Sequence, residues 1–269
     1  MKIAAIQMVS GSCLQTNLAA AGESLAEAAA LGAELAVLPE YFCLIGLKDT
    51  DKLAVQESRG TGPIQDFLSQ QAKALGIWLV GGTLPLSTTN PARVRNASLV
   101  FDPSGACVAR YDKVHLFRFA HNGEAYDETR VLSPGMQPVA FEMDSRDGNR
   151  WRIGLSVCYD LRFPELYRAL AADLLLVPSA FTYTTGQAHW DVLLRARAIE
   201  NLAYVAAAAQ GGTHDNGRRT WGHSLVVSPW GEMLAERMEA GSGVVVASLD
   251  KAQLTAMRAR LPALMHRVL

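Results

Sequence analysis

A weak internal repeat constrains the fold of this chain more than any other feature of its sequence. Three segments of the first half return in the same order in the second half. The matching pairs are KIAAIQM at 2–8 with RIGLSVC at 152–158, AELAVLPEYF at 33–42 with ADLLLVPSAF at 172–181, and NASLVFDPSG at 96–105 with GHSLVVSPWG at 222–231. Chance likeness between buried strands that end in proline is the alternative explanation. The repeat favours two quasi-equivalent halves, each with its own sheet.

Apolar strands alternate with helical segments along the whole chain, which indicates an α/β layered fold. The predicted strands are Lys2–Met8, Leu35–Leu38, Ile77–Gly81, Ala97–Asp102, Cys107–Asp112, Arg152–Cys158, Leu174–Val177, Ala203–Ala208, Ser224–Ser228 and Val244–Leu249. The predicted helices are Thr16–Leu31, Pro63–Leu75, Pro164–Ala172, Ala188–Asn201 and Lys251–Arg260. Several strands are continuously apolar, so both of their faces should be buried. Together with the repeat, this predicts a four-layer αββα sandwich in a single domain, residues 1–269.

Composition excludes several classes of protein. Hydrophobic residues make up 49% and charged residues 19% of the 269 positions, which rules out general disorder. The net charge of −1 gives no basic field for nucleic acid or an anionic membrane. No apolar run reaches the roughly 18 residues of a membrane span, and the first residues resemble a buried strand more than a signal peptide. We therefore expect a cytoplasmic protein.

Four cysteines are present, at Cys13, Cys43, Cys107 and Cys158. No pair has CxxC spacing, and none lies near a histidine at the spacing of a zinc site, so neither a metal nor a disulfide is expected. Cys158 is distinctive because a buried strand leads into it and Pro164 suits a helix start just beyond. A helix N-terminus favours a thiolate, and such turns expose backbone N–H groups for an oxyanion. The alternative is an ordinary core cysteine at a strand end.

Two more charged residues lie at or just beyond strand ends, where ligands gather in α/β sheets. Glu40 follows LAVLP and precedes two aromatic residues, an apolar setting that suits a general base. Lys113, in RYDKVHLF, could lower the pKa of a thiol and stabilise an anionic intermediate. The plainer alternatives are exposed side chains at strand ends. A Cys–His pair with His189 or His223 is a further alternative for the base, although neither histidine lies in a distinctive motif.

The segments LPEYF, YDKVHLF and GLSVCYDLRFPELYR resemble the three signature segments of the carbon–nitrogen hydrolase (nitrilase) superfamily, in order and in spacing. The likeness extends over essentially the whole chain. It implies a catalytic triad of Glu40, Lys113 and Cys158, and DETRVLSPG adds Glu128 as a supporting carboxylate. It also implies the αββα fold, a homodimer or larger homo-oligomer, and no cofactor or metal. In the mechanism that follows from this likeness, the Tyr159 backbone N–H helps to hold the oxyanion.

Two later segments are similar to the deaminated glutathione amidase branch of this superfamily: PSAFTYTTGQAHWDVLLRARAIEN and AAAAQGGTHDNGRRTWGHSLVVSPWG. The omega-amidase branch resembles the second of these less. The likeness implies an amidase that hydrolyses a small linear amide bearing a carboxylate, through a cysteine thioester. Its expected reaction converts deaminated glutathione to 2-oxoglutarate and cysteinylglycine. The alternatives are an omega-amidase, a nitrilase acting on another small amide or nitrile, and an idle interaction module on the same fold.

A substrate carboxylate calls for a bidentate cation near the nucleophile, and arginine is the natural choice. Arg162 follows Cys158 by four residues, and Arg218 lies with His214 in the loop of the second resembling segment. We predict these three residues as substrate-binding candidates. For Arg162 the alternative is an ion pair with Asp160 or Glu165. For Arg218 it is a solvated loop position.

Overall fold

Residues 1–121 and 124–268 are described by this computed structural model, and they form seventeen strands and five α-helices. The strands are β1 Lys2–Gln7, β2 Leu35–Val37, β3 Trp78–Val80, β4 Leu84–Ser87, β5 Val94–Phe101, β6 Cys107–Asp112, β7 Arg118–His121, β8 Glu124–Asp127, β9 Val139–Asp144, β10 Arg150–Leu155, β11 Leu174–Leu176, β12 Tyr204–Ala207, β13 Gly211–Thr213, β14 Arg219–Trp221, β15 Leu225–Val227, β16 Met233–Glu236 and β17 Gly243–Ser248. The helices are α1 Leu14–Ala30, α2 Pro63–Leu75, α3 Pro164–Leu170, α4 Tyr183–Asn201 and α5 Lys251–Arg260. Short 3-10 helices lie at Asp49–Leu53, Glu128–Arg130, Cys158–Arg162 and Ala263–Met265.

Two large sheets repeat the same strand order. The first runs β17-β1-β2-β3-β5-β4, with β6 also paired to β5, and the second runs β16-β15-β12-β11-β10-β9. In each sheet three neighbouring strands are parallel, β1-β2-β3 and β10-β11-β12, and the strands beside them are antiparallel. The chain therefore builds one sheet pattern twice.

The agreement extends to individual residue pairs. Val80 pairs with Val100 in the first sheet, and the equivalent Ala206 pairs with Val226 in the second. The register also shifts after Val100 and after Val226, so even the irregularity is duplicated. The two halves predicted from the sequence repeat are confirmed.

The sheets pack face to face, and helices cover their outer faces. One buried cluster joins side chains of both sheets, including Val37 and Val100 from the first and Ile153 and Val205 from the second. Helices α1 and α2 cover the outer face of the first sheet, where Leu25 and Leu68 are buried. Helices α3 and α4 cover the second sheet, with Tyr167 and Trp190 buried there. The predicted αββα sandwich is confirmed.

The largest error in the predicted helices is at the start of α4, which begins at Tyr183 and not at Ala188. Gly186 lies inside the first turns and weakens the helical pattern of the sequence. Its backbone lies against Trp221, and a Cβ at position 186 would come within 2.3 Å of the Trp221 Cβ. The glycine therefore permits a close approach between α4 and β14.

Seven strands were not predicted, namely β4, β7, β8, β9, β13, β14 and β16. They are short or partly exposed, or are rich in glycine and charged residues, so they lack the apolar runs that identify buried strands. Helix α3 ends at Leu170, two residues before its predicted end. Within residues 1–121 and 124–268, every helix is too short or too polar to cross a membrane.

Candidate active site

Cys158 lies on a sharp turn just beyond β10. Its φ angle is +49°, a backbone conformation that costs a non-glycine residue on the order of 1 kcal/mol or more. The turn is held because the Cys158 N–H donates to the Pro178 carbonyl at 2.9 Å, and Asp160 Oδ2 accepts from the Val157 N–H at 2.9 Å. Cys158 is 8% exposed. The strained turn therefore presents the thiol at the edge of the second sheet while shielding most of it from solvent.

Asp160 connects this turn to the segment that carries Lys113. It is fully buried, and its Oδ2 also accepts from the Tyr111 hydroxyl at 2.7 Å. Its Oδ1 accepts from the His115 N–H at 3.0 Å and lies 2.7 Å from His115 Nδ1. The turn after β10 and the residues on either side of Lys113 are thus fixed to one carboxylate.

Glu40 and Glu128 hold the Lys113 ammonium from two sides. Lys113 Nζ donates to Glu40 Oε1 at 2.9 Å and to the two carboxylate oxygens of Glu128 at 2.9 and 2.8 Å. Glu40 and Lys113 are each 1% exposed. Glu40 Oε1 also accepts from Asn96 Nδ2 at 2.9 Å, and Oε2 accepts from the Ala180 N–H at 2.9 Å. The carboxylate and the ammonium are therefore fixed relative to each other.

A residue of the second half holds the backbone beside Glu40. Gln210 Nε2 donates to the Glu40 carbonyl at 3.1 Å and to Ser10 Oγ at 2.8 Å, and Gln210 Oε1 accepts from the Ser10 N–H at 2.9 Å. The next residue, Tyr41, has a φ angle of +57°, and its hydroxyl donates to Glu128 Oε1 at 2.8 Å. Glu128 Oε2 accepts from the Phe117 N–H at 2.7 Å. Glu128 is thereby aimed at Lys113.

Charge and burial act in opposite directions on these groups. Burial disfavours the Lys113 ammonium, but Glu128 and Glu40 outweigh it and raise the pKa of Lys113. Burial likewise disfavours the ionised Glu128, yet Lys113 and the hydrogen bonds to the carboxylate lower the pKa of Glu128. Burial, followed by the nearby charge of Glu40, raises the pKa of Cys158 well above that of an ordinary thiol, although Lys113 opposes this. The expectation that the turn favours a thiolate is therefore not met, because burial and the Glu40 charge outweigh the Lys113 cation.

A raised thiol pKa places the proton on sulfur before reaction, so the thiol needs a base. Glu40 is in position to act as that base, since it lines the same pocket as Cys158 and its charge is near enough to raise the pKa of that thiol. The two histidines considered as bases have other partners. His189 Nδ1 lies 3.2 Å from Arg162 Nη2, and His223 Nδ1 lies 2.9 Å from Glu236 Oε1.

A small pocket opens onto these groups. Its walls include Glu40 and Cys158, the aromatic side chains of Phe117, Tyr159 and Phe181, and Arg218. Tyr159 is the second residue of the 3-10 turn that starts at Cys158, where backbone N–H groups lack helical partners. An acyl group bound at the thiol would therefore be surrounded by aromatic side chains, with the Arg218 cation and the Tyr159 backbone N–H beside it.

Of the three predicted substrate-binding residues, the structure brings Arg218 to the pocket. Arg218 Nη2 donates to the Ala180 carbonyl at 2.7 Å, and the guanidinium lies 5.0 Å from the Tyr126 ring centre. Its Nε is buried and, within the described part of the chain, has no hydrogen-bond partner. An unsatisfied donor on a pocket wall can bind an anion.

Arg162 and His214 lie elsewhere. Arg162 contacts His189 and the Phe181 ring, and it pairs with neither of the carboxylates proposed for it, because Asp160 is occupied by Tyr111 and His115. His214 is 4% exposed, with Nδ1 2.8 Å from the Ser10 carbonyl and Nε2 2.8 Å from Thr220 Oγ1. Burial lowers the pKa of His214. Neither side chain lines the pocket beside Cys158.

Lys52 is a candidate binding residue that sequence reasoning missed. Its Nζ lies 4.9 Å from the Tyr41 ring centre, in a cavity of about 390 Å³ that also meets Glu128 and Arg218. Burial lowers the pKa of Lys52, against the pull of Glu128 and Asp49. In the sequence it belongs to the charged run KDTDK, which is typical of an exposed surface segment. No local pattern identifies it.

Comparison with known proteins agrees with this geometry. The family model for carbon–nitrogen hydrolase matches residues 2–259. A deaminated glutathione amidase from Synechocystis sp. is 41% identical over 271 residues, covering 98% of this chain and 97% of the relative. The crystal structure of the C. elegans NitFhit protein superposes with a TM-score of 0.88 at 35% identity, over 99% of this chain and 64% of that one.

A mutant amidase from Nesterenkonia sp. AN1 superposes with a TM-score of 0.79 at 30% identity, over 97% of this chain and 98% of that one. That structure shows the result of Michael addition of acrylamide at the active-site cysteine of the amidase. The resemblance drawn from the three sequence segments is confirmed. This chain belongs to the carbon–nitrogen hydrolase family and is a cysteine-dependent amidase acting on carbon–nitrogen bonds other than peptide bonds.

Proposed function

We propose that residues 1–269 form one catalytic domain in which Cys158 is the nucleophile, Glu40 the general base and Lys113 the cation that stabilises the oxyanion. The observation that carries this proposal is the buried arrangement of all three, in which the Glu40 carboxylate binds Lys113 and lines the same small pocket as the Cys158 thiol. Because the thiol is protonated before reaction, attack and proton transfer to Glu40 must be coupled.

The reaction then has two stages. Glu40 takes the thiol proton while Cys158 sulfur attacks the amide carbon, and the Lys113 ammonium and the Tyr159 N–H hold the oxyanion. The intermediate collapses, the C–N bond breaks, and Glu40 returns the proton to the leaving amine to give a thioester. Glu40 next takes a proton from water while the water oxygen attacks the thioester carbon. As the C–S bond breaks, Glu40 returns that proton to the Cys158 sulfur, and the acid is released. Glu128 positions Lys113 throughout, because both of its carboxylate oxygens accept from the ammonium.

The proposed substrate is deaminated glutathione, hydrolysed to 2-oxoglutarate and cysteinylglycine. Relatives bearing that activity in their names match nearly the whole chain. In the pocket, Arg218 supplies the donor for the carboxylate of the acyl group, with Lys52 as a second cation nearby. Omega-amidase and nitrilase activities are the alternatives on the same catalytic groups.

Two measurements test the function. Mass spectrometry of enzyme quenched during turnover should find the acyl group on the peptide containing Cys158, and an unmodified Cys158 would contradict the thioester. Initial rates should then be compared for deaminated glutathione, 2-oxoglutaramate and propionitrile. The proposal requires the highest kcat/KM for deaminated glutathione, and a higher value for either of the others would reassign the substrate.

The role of Arg218 is tested with Arg218→Lys, because a point charge cannot reproduce the bidentate fork. We expect kcat/KM for carboxylate-bearing amides to fall by the equivalent of about 2 kcal/mol or more, and neutral amides to be spared. Arg162→Lys is the matched control, since Arg162 lies outside the pocket wall. Equal losses of the Arg218 variant on charged and neutral amides would show that this arginine is structural.

We also propose a homo-oligomer in the cytoplasm. Three large apolar side chains are exposed on or beside α4: Val192 at 65%, Ile199 at 48% and Trp230 at 58%. The Trp230 loop adjoins α4, because Arg195 Nε donates to the Gly231 carbonyl at 2.8 Å. A second copy of the chain would cover this surface. Light scattering should give at least twice the mass of one chain, and Val192→Glu should shift the measured mass towards that of the monomer. For the location, cell fractionation should recover the enzyme in the cytoplasmic fraction.

A further inference from the structure

An open cleft adjoins the catalytic pocket and is much larger than it. The cleft is open to solvent and has a volume of about 650 Å³, whereas the pocket beside the thiol is much smaller. Arg218 lines both spaces, so they meet at this side chain. A small acyl group would fill the pocket, whereas the cleft is on the order of the size that takes an extended ligand. The hydrolysis of ammonia amides or small nitriles does not require a space of this size next to the thiol.

The cleft has an excess of positive charge. Its walls carry three basic side chains, Lys48, Arg218 and Arg219, and one acidic side chain, Asp49. Among the described residues, neither Lys48 nor Arg219 has an ion-pair partner for its side-chain cation. These two cations are therefore available to an anionic group of a ligand.

Arg219 is exposed but fixed in direction. Its guanidinium carbon lies 4.0 Å from the centre of the Tyr183 ring, and that ring makes an edge contact with Trp221 at 5.1 Å. Stacking on an aromatic face keeps the guanidinium edge free to bind a carboxylate. The β13–β14 hairpin that carries Arg219 is in turn anchored by the buried His214, through Thr220 and Ser10. The cation is thus preorganised on the wall of the cleft.

We propose that this cleft is the leaving-group subsite, and that Arg219, assisted by Lys48, binds a carboxylate at the far end of the departing amine. This inference rests on the proposed function. Deaminated glutathione carries one carboxylate on its acyl half and another on the glycine of the departing cysteinylglycine. Arg218 at the pocket takes the first, and Arg219 in the cleft takes the second. The class of substrate is therefore an amide of a keto acid with a peptide-like amine that ends in a free carboxylate.

Three substrates with the same acyl half separate the two subsites. They are deaminated glutathione, its glycinamide analogue, in which the terminal carboxylate is neutral, and 2-oxoglutaramate, whose leaving group is ammonia. In the wild-type enzyme, neutralising the terminal carboxylate should lower kcat/KM about tenfold, the scale of one lost hydrogen bond between charged groups. Arg219→Gln should cause the same loss on deaminated glutathione and change kcat/KM less than twofold for the other two. Lys48→Gln should give a weaker loss with the same selectivity.

Arg130→Gln is the matched control, because Arg130 lies near the same mouth but lines a different cavity. It should leave all three substrates within twofold of wild type. The proposal is overturned if Arg219→Gln lowers kcat/KM equally for deaminated glutathione and its glycinamide, or if wild type does not distinguish these two. A wild-type enzyme that hydrolyses none of the three overturns the proposed substrate itself, an outcome distinct from loss of selectivity.

Discussion

The two halves of the molecule share a strand order and a residue register, but only one residue of each equivalent pair is proposed to be catalytic. Met8 occupies in the first sheet the position that Cys158 occupies in the second. Ser179 is the equivalent of Glu40, with its hydroxyl donating to the Val177 carbonyl. Either residue of a pair is compatible with the same strand pairing and the same burial. The chemistry therefore depends on a few replacements at strand ends, on a scaffold whose packing does not require them.

The halves also differ in the hairpin that follows their third strand. In the first half β4 pairs with β5 and joins the sheet. In the second half β13 pairs with β14 and forms a separate ribbon, whose connecting loop carries Arg218. The departure from the repeat thus forms one wall of the pocket. The pocket beside Cys158 is thus completed by a ribbon that departs from the repeat.

Cys158→Ala tests the largest difference between the halves. Turnover should be abolished, because no other group can form the thioester, while the melting temperature stays close to wild type. Cys43→Ala is the matched control, since Cys43 is a buried thiol of the first half whose pKa burial raises to about 12. It should retain activity. Turnover by the Cys158 variant would disprove the covalent route.

Glu40→Gln compared with Ser179→Ala tests the second equivalent pair. The glutamine keeps the shape but cannot take the thiol proton or return it to the leaving amine. We expect kcat to fall by about 10²–10⁴, the usual contribution of a general acid–base group. Ser179→Ala should remain within a few-fold of wild type. Similar losses in both variants would indicate that position 40 acts by packing.

Lys113→Ala compared with Glu239→Ala tests the third pair, which follows β6 and β16. Loss of the ammonium should lower kcat by about 10²–10³, the cost of removing one oxyanion donor. It also leaves Glu40 and Glu128 buried without their cation, so the melting temperature should fall. Rates must therefore be measured where the variant is folded. Glu239 is exposed, and its replacement should change neither quantity. A folded Lys113 variant within a few-fold of wild type would remove this lysine from the mechanism.

The smallest expected effect is on the pH dependence of alkylation. The rates of reaction of Cys158 and Cys13 with iodoacetamide should be measured as the pH is raised. Because the reaction follows the thiolate, its rate at Cys158 should keep rising above the ordinary thiol pKa of about 8.5, since burial raises the pKa of Cys158. Cys13 is exposed, and its hydrogen bonds with Thr16 lower its pKa, so its rate should level off earlier. In Glu40→Gln the Cys158 profile should move to lower pH, because the Glu40 charge raises the pKa of that thiol. A shift to higher pH, or none, would contradict this coupling.

The sequence predicted the three central catalytic candidates because each lies next to a strand with a strong apolar signal. Glu40, Lys113 and Cys158 could be placed at one edge from strand order alone. Residues that reach the pocket from polar segments could not be placed in this way. Lys52 lies in a charged run, and Arg162 is near Cys158 along the chain but points towards His189. Their positions depend on how loops fold across the sheet ends, which local periodicity does not encode.

Gln210 has a consequence for how the enzyme fails. It ties the Glu40 backbone of the first half to a segment of the second half, so docking of the two sheets helps to align the proposed catalytic carboxylate. Slight separation of the sheets would displace the carboxylate from the thiol before any strand or helix melts. On heating, loss of activity should therefore precede loss of the circular dichroism signal. The temperature difference between these two transitions would measure how strongly the two halves are held together. That is a property of the interface and not of either half alone.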